Sequence, residues 1–323
     1  MPSDPTVSKS PNRVLVTGAT GFLGRAVADA LAKTGHDVLR GARVVPIGVG
    51  DERWIGYGEV GPQTRWDEGL GGVDAVVHLA GLAHLPDASA ATEVEAFNRV
   101  NAEGTARLAS AGVGAGVRRL VLVSSALVHG EASPGRPYTE ADDPTPASAY
   151  ARSKLDSERR LVAAARGSAL EWVILRPPMV YGVGAHGNFR RLVQLVRTRA
   201  PLPFGAATAR RTFIGIDNLA DAVVRVVEHP QAANQVFLIG DAEATSTADL
   251  VRSIAAAMDR SVWTPRVPPA LLRAAFRVVG RERDYGRLFD PLELDTGRIR
   301  ALLGWMPPIS LEEGLRRAVQ DDR

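Results

Sequence analysis

The chain has 323 residues, 45% hydrophobic and 23% charged, a balance that supports a sizeable core and excludes a largely disordered protein. The formal charge is +3, and the arginine doublets Arg118-Arg119, Arg159-Arg160, Arg190-Arg191 and Arg210-Arg211 are dispersed, so no concentrated nucleic-acid face is expected. No cysteine is present, which excludes disulfides and thiolate metal sites, and six scattered histidines form no ligand motif. No apolar run reaches membrane-spanning length and the first dozen residues lack the apolar segment of a secretory signal, so a cytoplasmic enzyme without metal or membrane insertion is expected.

Arg13 to Thr17 is a short apolar run ending at Gly18, and Phe22 to Thr34 has helical periodicity, which together predict a strand, turn and helix. Further strands are predicted at Asp37 to Leu39, Ala75 to Leu79, Leu120 to Ser124 and Trp172 to Leu175, all near-continuously hydrophobic as buried parallel strands are. Helices are predicted at Glu93 to Ala111 and Ala149 to Arg166, whereas the glycine-rich segment Arg43 to Gly69 gives no clear element. Beyond Pro177 the pattern predicts helices at Phe189 to Arg199 and Asp217 to Glu228, a strand at Gln235 to Ile239, and helices at Ser246 to Met258, Pro269 to Val279 and Ser310 to Val319.

This alternation predicts an α/β fold, a Rossmann-type doubly wound parallel sheet with a smaller, mainly helical C-terminal substrate domain. The expected division is 1–176 for the dinucleotide-binding domain, with 213–240 returning to it, and 177–212 plus 241–323 for the substrate-binding cap.

Gly18, Gly21 and Gly24 recur every third residue between the first strand and first helix, in Gly18-Ala19-Thr20-Gly21-Phe22-Leu23-Gly24. Small residues there let backbone approach a pyrophosphate, and the helix N-terminus offers free N–H donors. Gly18, Thr20, Gly21, Phe22, Leu23 and Gly24 are therefore predicted to bind a dinucleotide. No acid ends the second strand, where one would hold the adenosine ribose; Arg40 and Arg43 stand nearby and can pair with a 2'-phosphate, which favours NADP over NAD.

Tyr150 and Lys154 are four residues apart on a predicted helix, so phenol and ammonium share a face, and a cation beside a phenol lowers its pKa. Lysine is scarce, with only Lys9, Lys33 and Lys154 in the chain. Ser124-Ser125 closes the strand from Leu120 at the carboxyl end of the sheet, where ligands bind. Ser125, Tyr150 and Lys154 can thus surround a carbonyl or alcohol oxygen beside a nicotinamide. In that arrangement Tyr150 exchanges the proton, Ser125 holds the oxygen, and Lys154 tunes the tyrosine and touches the nicotinamide ribose.

With these motifs the chain resembles the extended short-chain dehydrogenase/reductase superfamily, in its NAD-dependent nucleotide-sugar epimerase/dehydratase branch. The resemblance covers nearly the whole chain and rests on the glycine turn, His78-Leu79-Ala80-Gly81, Asn101 before Gly104-Thr105, Ser124-Ser125 with Val128-His129-Gly130, Tyr150 with Lys154, and Leu175-Arg176-Pro177 through Gly182. It implies cofactor contacts from Leu79, Ala80, Gly81, Asn101, Ser124 and Pro177, with Asn101 supporting the tyrosine helix.

Within that branch the chain looks most like bacterial polysaccharide-pathway enzymes that act at C4 of UDP-N-acetylhexosamines, on Gly187-Asn188-Phe189, Pro201 to Gly205, Arg211 to Ile214 and Leu303-Gly304-Trp305. The likeness implies that Asn188 and Arg211 contact the nucleotide diphosphate and that the helices 93–111 and 149–166 form a homodimer, and His84, by its place after the Gly81 turn, is expected to face substrate. His129 departs from the tyrosine common at its place.

The branch contains 4-ketoreductases using NADPH and 4-epimerases retaining NAD, built on the same residues. The arginines after the second strand turn the expectation toward a 4-keto reductase with Tyr150 as proton donor, with the 4-epimerase as the alternative. Ser125-Ala126 lacks the Asp-Glu pair that sugar 4,6-dehydratases carry. Reduction of a non-sugar ketone and a non-enzymatic dinucleotide sensor are the remaining alternatives.

Overall fold

The computed structural model describes residues 12–48, 53–83, 85, 89–133, 135–198, 200–280 and 282–320. His84 lies outside the described residues. The chain begins with β1 (Arg13–Thr17), α1 (Phe22–Lys33), β2 (Asp37–Ala42), β3 (Arg53–Gly56), α2 (Asp67–Leu70) and β4 (Ala75–His78). It continues through α3 (Ala90–Phe97), α4 (Gly104–Ala115), β5 (Arg119–Val123), α5 (Ala149–Ala165) and β6 (Glu171–Arg176). These strands and β10 (Gln235–Leu238) form a seven-stranded, wholly parallel sheet in the order β10-β6-β5-β4-β1-β2-β3. The order reverses at β1, so the carboxyl ends of β1 and β4 open the crevice where a doubly wound sheet takes its ligand.

The hydrophobic strands bury both faces. Val14, Val16, Val77, Val121 and Val173 meet α1 and α7 (Ile216–Glu228) on one side, and Leu15, Val76, Leu120, Leu122 and Ile174 meet Leu108 of α4 and Leu161 of α5 on the other. The alternation places Thr17, His78 and Ser124 on the α4–α5 side of the strand ends, by the period of two along a strand.

The cap has its own apolar cluster, built on β7 (Met179–Tyr181), α6 (Asn188–Arg197), β9 (Phe213–Gly215), α8 (Thr247–Ala257), α9 (Pro269–Val278), α10 (Glu282–Phe289) and α12 (Leu311–Gln320). Two short pairs, β8 (Arg210–Arg211) with β11 (Thr245–Ser246) and β7 with β9, complete it. α11 (Gly297–Leu303) does not join that cluster; Ile299, Leu303 and Trp305 pack into the core of the large sheet, so the chain returns to the sheet once more than the sequence predicts. The two cores are tied by a buried polar knot in which Tyr181 donates to Asp241 Oδ2 at 2.7 Å and Asn218 Nδ2 donates to Asp241 Oδ1 at 2.7 Å.

The helix predicted from Glu93 to Ala111 is interrupted, because Asn98–Glu103 between α3 and α4 widens into π-helical turns. Such a turn displaces a residue from the regular face, here Asn101. In the segment without a predicted element lie β3 and α2, each only four residues long.

Candidate active site

The turn after β1 is shaped to bring backbone close to a ligand. Gly18 has φ +72°, and a Cβ there would lie 2.9 Å from Ala80 N; at Gly24 a Cβ would lie 2.0 Å from Gly18 O. No side chain caps α1, and its first turn carries no acid, so its N-terminal N–H groups and positive dipole end are offered to an anion. Thr20 and Gly21 are exposed, and Phe22 also packs against the cap cluster. A close-packed glycine turn with free N–H donors at a helix N-terminus has the chemistry to take a dinucleotide pyrophosphate.

The two arginines expected at a 2'-phosphate are differently engaged. Arg40 is buried and pairs with Asp29 of α1 at 2.8 Å, and Arg43 is exposed and pairs with Glu59 at 3.1 Å. Arg40 therefore serves the packing of β2 on α1, which removes half of the sequence argument for NADP. A residue without any prediction, Tyr57, stands at the turn instead: its hydroxyl accepts from Gly18 N–H at 3.0 Å, and its ring lies 4.8 Å from Trp66.

On the α4–α5 side of the crevice, hydrogen bonds fix one tautomer. Thr17 Oγ1 accepts from Leu79 N–H and Ala80 N–H, each at 3.2 Å, so its own hydrogen goes to His78 Nδ1 at 2.8 Å. His78 Nε2 then carries the ring hydrogen, and it has no partner among the described residues. Burial, with the Lys154 charge adding to it, pushes His78 down to about 3, so the ring is neutral.

Asn101 clamps this wall to the helix bearing the tyrosine. Its Oδ1 accepts from Leu82 N–H at 2.7 Å, and its Nδ2 donates to Leu82 O and to Ser153 Oγ, each at 2.9 Å. A Cβ on Gly81 would lie 3.0 Å from Asn101 Oδ1, so a larger residue there would press on the clamp. The Asn101–Ser153 bond supports α5 one position before Lys154.

Ser148 caps α5 by accepting from Ala151 N–H, which starts the helix just before Tyr150. The Tyr150 ring meets Phe97 edge-on at 5.8 Å, and Ser125 is near enough to its hydroxyl to pull its pKa down. Ser125 caps the turn Ala126–Val128, and Ala126 N–H donates to Pro177 O at 2.8 Å, so the serine is held between the ends of β5 and β6. Ser124 N–H extends the β5–β6 ladder to Leu175 O at 2.7 Å, and its buried hydroxyl has no partner among the described residues.

The tyrosine differs from the sequence expectation in one respect. Burial raises its pKa where the spacing alone predicts a lowering, with Ser125 working against that rise. Burial depresses Lys154 itself to about 8, with Glu158 opposing that fall from one turn further along α5.

Glu158 belongs to a buried network that sequence reading does not single out. Arg176 donates to Glu158 Oε1 at 3.1 Å and Oε2 at 2.6 Å, a bidentate pair, and a third donor reaches His129 Nε2 at 2.8 Å. Arginine only donates, so His129 Nε2 is the acceptor and the hydrogen sits on Nδ1. Burial first and Arg176 second push His129 down to about 4. The i,i+4 spacing of Lys154 and Glu158 was a readable signal, whereas the arrival of Arg176 from β6 and His129 from the loop after β5 is set by the fold.

In the cap, Arg211 is buried and its Nη1 donates to the Asp290 carbonyl. Burial lowers it to about 10, with Arg287 of α10 pushing the same way, so two guanidiniums are held near one another. Arg287 is absent from the sequence expectations. Asn188 is the exposed first residue of α6, following Gly187, which has φ +69°.

A model of the NAD dependent epimerase/dehydratase family matches residues 14–240. A UDP-glucose 4-epimerase of Vibrio cholerae is 35% identical over 314 residues, covering 97% of this chain and 96% of that protein. A dTDP-L-rhamnose 4-epimerase of Burkholderia thailandensis is 28% identical over 94% of this chain and 93% of its own length. Among solved structures, MoeE5 in complex with UDP-glucuronic acid and NAD has a TM-score of 0.77 and 27% identity, covering 97% of this chain and 99% of that one.

Proposed function

The chain belongs to the NAD dependent epimerase/dehydratase family, and from that premise we propose that it is a nucleotide-sugar 4-epimerase that retains NAD. The observation that carries the reading is the placement of Ser125 at the carboxyl end of β5 with Tyr150 and the buried Lys154 on the first turns of α5, beside the glycine cradle. The Vibrio cholerae relative, a UDP-glucose 4-epimerase at 35% identity, supports a UDP-hexose as substrate. The engagement of Arg40 with Asp29 weighs against the NADPH-dependent reductase that the sequence alone favours.

The cradle at Gly18 and Gly24 and the N-terminus of α1 hold the cofactor diphosphate, with Leu79, Ala80, Gly81 and Pro177 closing the walls. NAD supplies, when bound, a reversible acceptor for the C4 hydride. Tyr150 takes the proton from the C4 hydroxyl and later returns it, while Ser125 donates to the same oxygen and fixes its position. Lys154, buried on α5 one turn before Glu158, would supply positive charge to the nicotinamide ribose. Arg211 and Arg287 bind the diphosphate of the nucleotide sugar, and Asn188 reaches it from the start of α6. A homodimer through α4 and α5 completes the proposal; sedimentation showing only monomer at micromolar protein would remove that part.

The test is the nucleotide released on denaturing freshly purified protein. NAD at about one per chain is expected, because an epimerase must keep its cofactor through both halves of the turnover. Empty protein that oxidises NADPH in the presence of a 4-keto nucleotide sugar would overturn the reading in favour of the reductase.

A further inference from the structure

One stretch of the cap combines exposed apolar side chains with concentrated positive charge. Residues 260–287 contain seven arginines and two acidic residues, a net of +5, whereas the whole chain is +3; all remaining residues together are therefore −2. The positive excess of the sequence thus falls in this stretch.

Within that stretch α9 is apolar on two faces. Leu272 is buried and Phe276 packs beside it against the cap cluster. At 100° per residue, Leu271, Ala274, Ala275 and Val278 fall within an arc of about 100° on a different face. All four are exposed, Leu271 to 64% and Val278 to 86%, and Val279 at the helix end is 66% exposed. Trp263, in the loop leading into the helix, is 70% exposed. Its backbone is nevertheless fixed, since Trp263 O accepts from Leu202 N–H at 2.9 Å. A large ring held in water on an anchored loop is a stable feature of the surface.

Arg273 and Arg277 occupy the third face of α9. They share one carboxylate, Glu282, at 3.5 and 2.8 Å, and both remain more than half exposed, so their charge is only partly neutralised. The guanidinium of Arg273 also lies 5.4 Å from the centroid of the Tyr285 ring, which holds it at the seam between α9 and α10.

We propose that this face of α9, with Trp263, docks the protein on a bilayer surface carrying anionic headgroups. An interfacial helix needs an apolar stripe to enter the acyl boundary, a tryptophan to sit at the headgroup level, and flanking arginines to meet lipid phosphate; all three are present. A second copy of the chain is disfavoured as occupant, because a two-fold contact would set the exposed Arg273 and Arg277 beside their own copies. The attachment is peripheral, as no helix among the described residues is long and apolar enough to cross a membrane. The proposal is independent of the reaction proposed above.

The test is co-sedimentation of the full chain with vesicles at about 0.1 M salt, where headgroup attraction still acts over about 10 Å. Phosphatidylcholine vesicles containing roughly a quarter phosphatidylglycerol are compared with phosphatidylcholine alone. Binding to the anionic vesicles only is expected. The double substitution Leu271→Gln, Val278→Gln is expected to weaken it by about tenfold or more, since two exposed apolar side chains leave the interface. Arg273→Gln, Arg277→Gln is expected to flatten its salt dependence. These positions are exposed, and unchanged circular dichroism confirms that the variants fold. Protein left in the supernatant with both vesicle types, or equal pelleting of the Leu271/Val278 variant, overturns the proposal. So does self-association that this variant abolishes, which assigns the face to a second copy.

Discussion

Ser125, Tyr150 and Lys154 stand at the ends of a seven-stranded sheet and on a 17-residue helix, whereas Arg211 stands on a two-residue strand and Asn188 on the first position of a ten-residue helix. The reacting end is further braced by buried polar contacts from three directions: Asn101 onto Ser153, Arg176 onto Glu158, and Thr17 onto His78. The cap end is held by the Arg211 bond to a carbonyl and by short strand pairs. Proton transfer needs its groups fixed to fractions of an ångström, while a substrate pocket has to be varied without disturbing that frame. Under the proposed roles, the division of labour follows from which elements carry each residue.

The comparison is broken most sharply at the reacting end. Tyr150→Phe removes only a hydroxyl, and turnover is expected to fall by about 10²–10⁴-fold while cofactor retention persists; comparable activity after the change contradicts the proton-transfer role. Glu158→Gln leaves the Arg176 guanidinium buried without its counter-charge, so denaturant unfolding should show a loss of roughly 3–5 kcal/mol. The same change at Glu282, which serves exposed arginines on the cap, should leave the denaturant midpoint essentially unchanged. Similar losses at the two positions would erase the distinction drawn between the regions.

Acid separates the regions as well. His78 and His129 have folded values of about 3 and about 4 against an ordinary value of 6.5. Between those limits the unfolded chain binds more protons, so the contribution of each neutral ring is fully present above about pH 6.5 and is lost as the pH falls toward 4. Stability measured by urea titration should decline over that window, and His129→Gln, which keeps an acceptor for Arg176 but cannot titrate, should flatten the decline. Lys154 acts in the alkaline range: its folded value of about 8 lies below the ordinary 10.5, so the burial penalty on its ammonium is present below pH 8 and is relieved as the pH rises toward 10.5. Cofactor retention should weaken as the pH passes through about 8, because that is where the folded protein loses the ammonium.

Smaller effects are expected in the cap and at the adenosine end. Arg211→Ala should weaken nucleotide-sugar binding by about tenfold or more, the scale of one hydrogen bond to a charged group, with Tyr150-dependent proton transfer intact; calorimetry with a UDP-sugar reads this directly. Arg43→Ala should change NAD binding by less than about twofold, since its exposed pair with Glu59 contributes little. A large loss of NADP(H) binding in that variant would return weight to the reductase.

How far the sequence reaches follows the same boundary. The buried parallel strands and α5 are readable because their periodicity is sustained and their caps are local, as with Ser148 before Tyr150. β3, β7, β8, β9 and β11 have two to four residues each, too few for a period to emerge, and they exist through pairing with distant chain. Glu158, Arg176 and His129 are each visible in the sequence, yet their union depends on β5, β6 and α5 converging. Arg40 shows the opposite failure: a suitable residue near the end of β2 is drawn instead to Asp29, because α1 packs beside it and burial favours the paired form. Tyr57 was hidden in a glycine-rich segment, and nothing local announced its bond to Gly18. The relation between Tyr150 and Lys154 was legible as spacing, but the direction of the tyrosine shift was not, since burial is a property of the folded molecule.

Epimerisation without added cofactor is the most direct test of the proposed reaction. Purified protein incubated with UDP-glucose in deuterated buffer, followed by proton NMR, should produce the C4 epimer until the two sugars equilibrate, with no deuterium at C4, because the hydrogen returns as hydride and only the Tyr150 proton exchanges with solvent. Absence of the epimer from UDP-glucose and from UDP-N-acetylglucosamine, in protein that holds NAD, would contradict the account.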